Sequence, residues 1–232
     1  MKSLEVKICG CRRPADAIAA VEAGAAHYGL VFAERVRRIT PDEAARIVEV
    51  AGTASTPVGV FVDASVDHVL AARDTAGFRI AQLHGDEPPE QCDALRVEGL
   101  GVWKAIRPRD EAELRQKVAE FAGTVDGILV EGFSSKAPGG TGTGFPHAWL
   151  EGSAEPALWR PGDGPRSDRA VLILAGGLTP EGVGDAVREV NPAIVDVSSG
   201  VERAPGVKDR GLIRRFVANA LAAVPPTAGA ER

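Results

Sequence analysis

Several β-rich runs end in side chains that can move protons or hold anions. Cys9 closes EVKICG (5–10), His84 closes RIAQLHG (79–85) with Asp86 just beyond it, and Glu131 closes GILVEG (127–132). Asp196 lies in AIVDVSS (193–199), followed by Ser198 and Ser199. The loop AERVRR adds Arg35, Arg37 and Arg38. A cysteine accepts a proton only as thiolate, and burial raises its pKa unless positive charge or amide dipoles offset it. Cys9 therefore stays open between a packing thiol and a proton acceptor. Cys11, in a turn beside two arginines, and Cys92, in a helical stretch, read as packing or surface residues. His84 stays open too, between a working group and a hydrogen-bonded histidine at the rim.

Glycine-rich stretches supply the other chemistry. KAPGGTGTGF (136–145), LAGGLTP (174–180) and DVSSGVE (196–202) follow the sixth, seventh and eighth predicted strands. Successive backbone N–H groups in such turns and at helix N-termini cradle anions. A phosphate ester is the ligand class these loops favour. Metal is not expected: His27, His68, His84 and His147 are scattered, with no H-x-H, H-E-x-x-H or paired-cysteine spacing. Lys104 and Lys7 are conceivable Schiff-base lysines, but both read better as charge partners at the ends of a barrel.

Eight candidate strands would position these groups, the others being AHYGLVF (26–32), PVGVFVD (57–63), VWKAIR (102–107) and AVLILAG (170–176). Between them lie amphipathic stretches such as PADAIAAVEAG and SVDHVLAARDTAG, with apolar residues at 3–4 spacing. Two, TPDEAARIVEV and TPEGVGDAVREV, open with Thr-Pro, a capping hydroxyl before a proline suited to the first helical turn. KDRGLIRRFVANALAAV reads as a last helix. Eight strands alternating with helices fit a (β/α)8 barrel, in which working groups sit at the C-terminal strand ends. A doubly wound sheet also alternates, but KICGCRRP is not its G-x-G-x-x-G fingerprint. The expected organisation is one α/β domain over 1–224, an insertion at 150–169 and a loose tail at 225–232. The insertion reads as a short helix around 147–151 followed by a surface loop, or as a disordered segment.

The totals bound the function. The chain has 232 residues, 44% hydrophobic, and a formal net charge of -5, which disfavours a nucleic-acid partner. MKSLEVKICG lacks the apolar run of a signal peptide, and no stretch approaches a membrane span of about 20 residues. Three cysteines do not make a disulfide framework. A cytoplasmic protein without nucleic-acid or membrane partners is expected.

The segments KICG, GLVF followed by an arginine and I-T-P, VGVFVD, QLHGDEP, VWKAI, GGTG, LAGGLTPEGV and VDVSSGVERAPGVKD run in that order from residue 5 to about 210. This combination resembles the phosphoribosylanthranilate isomerase family of tryptophan biosynthesis, cofactor-free (β/α)8 enzymes. The resemblance implies an Amadori rearrangement of N-(5-phosphoribosyl)anthranilate. It puts the general base on Cys9 and the general acid on Glu131, where the family usually carries aspartate. It also implies that Arg37, with Arg38 next, pairs with the substrate carboxylate, and that His84 and Asp196 contact substrate. Gly140, Gly176, Gly177, Ser198, Ser199 and Gly200 would hold the phosphate. The departures cluster at strand six: Glu131 itself, G-T-G-F-P-H-A-W (142–149) for the family's G-K-T-F-D-W, and the insertion. They leave open a paralogue acting on another phosphoribosyl-amine and a non-catalytic barrel that binds phosphorylated ligands or serves as a partner protein. A phosphosugar lyase or synthase, which would need a catalytic lysine at a strand end, is the further alternative. A phosphosugar is the expected small-molecule partner, bound by a monomer or homodimer.

Overall fold

A computed structural model describes residues 4–132, 147–150, 157–161, 163 and 169–224. Its barrel strands are β1 (Glu5–Cys9), β2 (His27–Val31), β3 (Thr56–Phe61), β4 (Ile80–Leu83), β5 (Gly101–Ile106), β6 (Gly127–Val130), β8 (Ala170–Leu174) and β9 (Ile194–Val197). All pair in parallel with their neighbours, β1 lies beside β9, and β6 pairs with β8. That last pairing closes the sheet: the protein is a (β/α)8 barrel.

Alternation of side chains makes two layers from each strand. On β1, Val6 and Ile8 join the apolar shell beneath the helices, whereas Lys7 pairs with Asp196 and Cys9 faces a cavity. Within the barrel, Val58, Trp103, Leu129, Trp159, Val171 and Ile173 form a separate apolar plug. The site is thus built on a packed floor.

The helices are α1 (Pro14–Ala23), α2 (Pro41–Ala51), α3 (Val66–Ala76), α4 (Pro89–Val97), α5 (Glu111–Phe121), α6 (Val183–Val190) and α7 (Arg210–Ala222). Thr40 begins α2 as expected. Its hydroxyl accepts from the Glu43 amide at 3.2 Å, while Glu43 accepts from the Thr40 amide at 2.8 Å. Such a cap stabilises a helix by about 0.5–2 kcal/mol. The second Thr-Pro behaves differently. Thr179 Oγ1 accepts from Gly182 at 3.2 Å, and α6 starts only at Val183. The Pro-Glu-Gly sequence between them forms a turn first, because glycine weakens helix propagation.

The insertion also departs from the expected surface loop. His147–Leu150 form a 3-10 turn, in keeping with the short helix expected around 147–151, whereas within the insertion Leu158–Trp159 form β7, which pairs in parallel with the start of β8. Trp159 is buried in the barrel plug. Burial of that large ring among the plug residues stabilises the strand. After β9, β10 (Glu202–Ala204) and β11 (Val207–Lys208) make a small antiparallel pair. No helix of the described residues is long and apolar enough to cross a membrane.

Candidate active site

A cavity of about 280 Å³ opens at the C-terminal ends of the strands. Of the expected site residues, Cys9, Arg37, His84, Glu131, Gly176, Gly177, Asp196, Ser198, Ser199 and Gly200 all line it. Gly140 lies outside the described residues.

On the β1 side, Cys9 is 8% exposed. Burial pushes its thiol pKa up, opposed by the Lys7 and Lys208 charges and reinforced by Asp196. Lys7, fully buried, donates to Asp196 Oδ2 at 3.0 Å. Burial disfavours the Lys7 ammonium, yet Asp196 and Cys9 beside it raise its pKa, so it stays charged. Asp196 Oδ1 is buried without a hydrogen-bond partner among the described residues.

On the β6 side, Glu131 Oε1 lies 2.8 Å from His84 Nε2 and 3.5 Å from Arg107 Nε. Burial alone would push this carboxyl up. The His84 hydrogen bond and the His84, Arg107 and Lys7 charges outweigh it and hold the pKa below the ordinary carboxylate value. Gln82 Nε2 is 3.1 Å from His84 Nδ1, and Arg107 Nη2 donates to the His84 carbonyl at 2.7 Å. The imidazole is therefore held at both ring nitrogens, by Gln82 and Glu131, while Arg107 holds the backbone of the same residue. Asp126 is no rival acid: its Oδ2 accepts from the Val102 amide at 2.8 Å, before β6 begins.

The third wall lies between these two sides, because β8 and β9 separate β6 from β1. After β8, Gly176 and Gly177 have φ of 87° and 70°, left-handed values that other residues rarely adopt. After β9, a Cβ on Gly200 would strike the Leu178 carbonyl oxygen, so the two loops pack closely only with glycine there. Ser198 Oγ donates to the Cys9 carbonyl at 3.2 Å, tying this wall to β1.

In the arginine loop, Arg37 forms a two-pronged ion pair with Glu202, at 2.7 and 2.8 Å. Arg38 instead meets Glu34 and is absent from the cavity lining. Exposed Arg35 does line it.

The lysines are charge partners. Lys104 Nζ donates to Glu87 Oε2 at 2.7 Å and to the Gly85 carbonyl at 2.6 Å, and no lysine lines the cavity among the described residues. Cys11 and Cys92 are buried packing residues, their thiols pushed up by burial to about 12 and about 11.

Gln82, Arg107 and Glu202 were not among the expected site residues. Arg107 was accessible to the same rule that found Glu131, since it follows β5 directly and shares the inward face of Trp103 and Ala105. Gln82 shares the inward face of His84, two residues on. Glu202 ends the quoted stretch DVSSGVE (196–202), but its position beyond the strand end gave it no role.

The chain is similar throughout to proteins of one kind. Residues 6–219 match the family model described as N-(5'phosphoribosyl)anthranilate (PRA) isomerase. The N-(5'-phosphoribosyl)anthranilate isomerase of Symbiobacterium thermophilum is 41% identical over 221 residues, covering 93% of this chain and 97% of that one. That of Geobacter sp. (strain M21) is 42% identical over 218 residues, with the same coverages of 93% and 97%. The crystal structure of phosphoribosyl anthranilate isomerase from Thermotoga maritima superposes with a TM-score of 0.81 at 33% identity, covering 94% of this chain and 99% of that one. Another structure of the isomerase, in complex with reduced 1-(o-carboxyphenylamino)-1-deoxyribulose 5-phosphate, gives a TM-score of 0.76 at 33% identity, with the same coverages of 94% and 99%. Closed barrel, cavity residues and whole-length similarity agree: this chain belongs to the N-(5'-phosphoribosyl)anthranilate isomerase family.

Proposed function

We propose that the protein converts N-(5-phosphoribosyl)anthranilate into 1-(2-carboxyphenylamino)-1-deoxyribulose 5-phosphate, an aldose–ketose isomerisation in tryptophan biosynthesis that needs no cofactor. One observation supports this reading above the others. A thiol and a carboxyl from β1 and beyond β6 face a single cavity, across the two glycine-bearing loops that follow β8 and β9.

Glu131 protonates the ribose ring oxygen, and the C1′–O bond breaks to leave a Schiff base. Cys9, as thiolate, removes the C2′ proton, giving an enolamine. Tautomerisation then yields the aminoketose, with no net gain or loss of atoms. Asp196, which lines the cavity, accepts from the substrate amine or a sugar hydroxyl. Arg37 takes the substrate carboxylate, and Gly176, Gly177, Ser198, Ser199 and Gly200 take the phosphate. Holding the phosphate at a distance from the reacting carbons lets its binding energy orient the sugar.

Turnover of freshly prepared phosphoribosylanthranilate by wild type, and by neither Cys9→Ser nor Glu131→Gln, is the expected result. Binding of the reduced product analogue without turnover would mean that the true substrate carries a different amine half.

A further inference from the structure

We propose that Glu202 is a positioning residue, which aims the Arg37 guanidinium at the substrate carboxylate. This rests on the reading of the site just given. Arg37 comes from the loop after β2 and Glu202 from the hairpin after β9, 165 positions apart. Arg37 Nε donates to Glu202 Oε1 at 2.7 Å, and Nη2 donates to Oε2 at 2.8 Å. Such fork-to-fork pairing fixes direction as well as distance.

The carboxylate is itself held. Lys208 Nζ donates to Oε1 at 2.9 Å and the Gly206 amide to Oε2 at 3.1 Å. The Glu202 side chain is 4% exposed, that of Arg37 18%. Gly10 completes the clasp from below. A Cβ there would come 2.5 Å from Arg37 Cδ, so the arginine stem lies on bare backbone. Arg37 Nη1 makes no hydrogen bond among the described residues, and the residue lines the cavity. A free arginine must surrender rotamer freedom when it grips an anion; one already clasped has less to lose.

Charge alone argues the other way. Glu202 is an anion beside a subsite for an anion, and on Coulombic grounds its neutralisation should tighten binding. Lys208, however, balances Glu202, and the trio of two cations and one anion keeps one net positive charge. The two views therefore predict opposite signs.

The test compares wild type, Glu202→Gln, Glu202→Asp and Arg37→Lys, measuring kcat and KM together with direct calorimetric binding of anthranilate and of inorganic phosphate. Glu202→Gln should raise KM and weaken anthranilate binding about tenfold, the scale of one hydrogen bond to a charged group. Its kcat and phosphate affinity should stay within about twofold of wild type. Glu202→Asp keeps the charge beside Lys208 but withdraws it by one methylene. It should shift anthranilate affinity in the same direction, and it serves if the glutamine variant does not fold. In the Arg37→Lys background, Glu202→Gln should have no further effect on anthranilate. Tighter anthranilate binding, or equal weakening of both probes, would overturn the clasp. Absence of isomerase turnover by wild type, with anthranilate binding still dependent on Glu202, would overturn the reaction and leave the clasp. Failure of wild type to bind anthranilate at all would overturn both.

Discussion

Cys9 and Glu131 face one cavity and are both buried, yet their surroundings act on them in opposite ways. At Cys9, burial wins: Lys7 is the nearest cation, but Asp196 shares it, and the thiol pKa stays above its ordinary value. At Glu131, burial loses to His84 and Arg107, neither of which is shared with a second carboxylate among the described contacts, and the carboxyl stays ionised. The resting pair is thus thiol and carboxylate, the reverse of the forms the reaction uses. Moving one proton from Cys9 to Glu131 produces both working forms without changing the proton count. Desolvation alone therefore does not set a pKa; what matters is whether the neighbouring charge is already spoken for.

The largest effect should come from removing either partner. Cys9→Ala and Glu131→Gln should each lower kcat on the order of 10³-fold, within the range of lost general acid–base catalysis. In wild type, the pH profile of kcat/KM should be a broad bell. Below the depressed Glu131 pKa both groups are protonated and the base is lost. Above the raised Cys9 pKa neither is protonated and the acid is lost. A profile whose plateau lies between the ordinary carboxylate and thiol values alone would break the contrast.

Lys7→Met tests the shared cation. It strands Asp196 in a buried place without its partner, and loss of one member of a buried pair costs about 3–5 kcal/mol. The denaturation midpoint should fall accordingly. The alkaline limb of activity should also move up, since Cys9 loses the charge that opposes its burial.

Arg107→Gln tests the unshared one. With the cation 3.5 Å from Glu131 gone, the acid limb of kcat/KM should shift to higher pH. The change in kcat itself should stay within about tenfold, because His84 still holds the carboxyl. An unmoved acid limb would show that His84 alone sets this side.

The smallest effect concerns stability rather than rate. Glu202 is held down to about 2 by partners that outweigh its burial, first among them the Arg37 hydrogen bond. An unfolded glutamate titrates near 4.3. A depressed pKa contributes stability that is complete above the unfolded value and lost as pH falls through the folded one. Between about pH 4.3 and 2, Glu202→Gln should therefore lose less stability than wild type in pH-dependent thermal melts.

Much of the site is legible in the linear sequence. Strand alternation and the C-terminal-end rule bring Cys9, His84, Glu131 and Asp196 to one mouth, since both depend only on local sequence. Thr40 marks a helix start for the same reason. Trp159 escapes because a two-residue strand is too short to show a period. Thr179 misleads because its Thr-Pro signal is identical to that of Thr40, whereas the following glycine delays the helix. Arg107 lies within reach of the end rule; Glu202 does not, for its partner stands 165 positions away.

The ordered motifs carried the resemblance to the family, and the residue types and their periodicity determined the barrel and the rim position of the thiol and the carboxyl. These follow from contacts between near neighbours and from side-chain alternation, which a linear sequence carries. Tertiary structure alone decided which charge meets which: Lys7 with Asp196, Arg107 with Glu131, Arg37 with Glu202. Closing the sheet brings strands from distant parts of the chain within hydrogen-bond reach, and Coulombic interactions depend on that distance, not on separation in sequence.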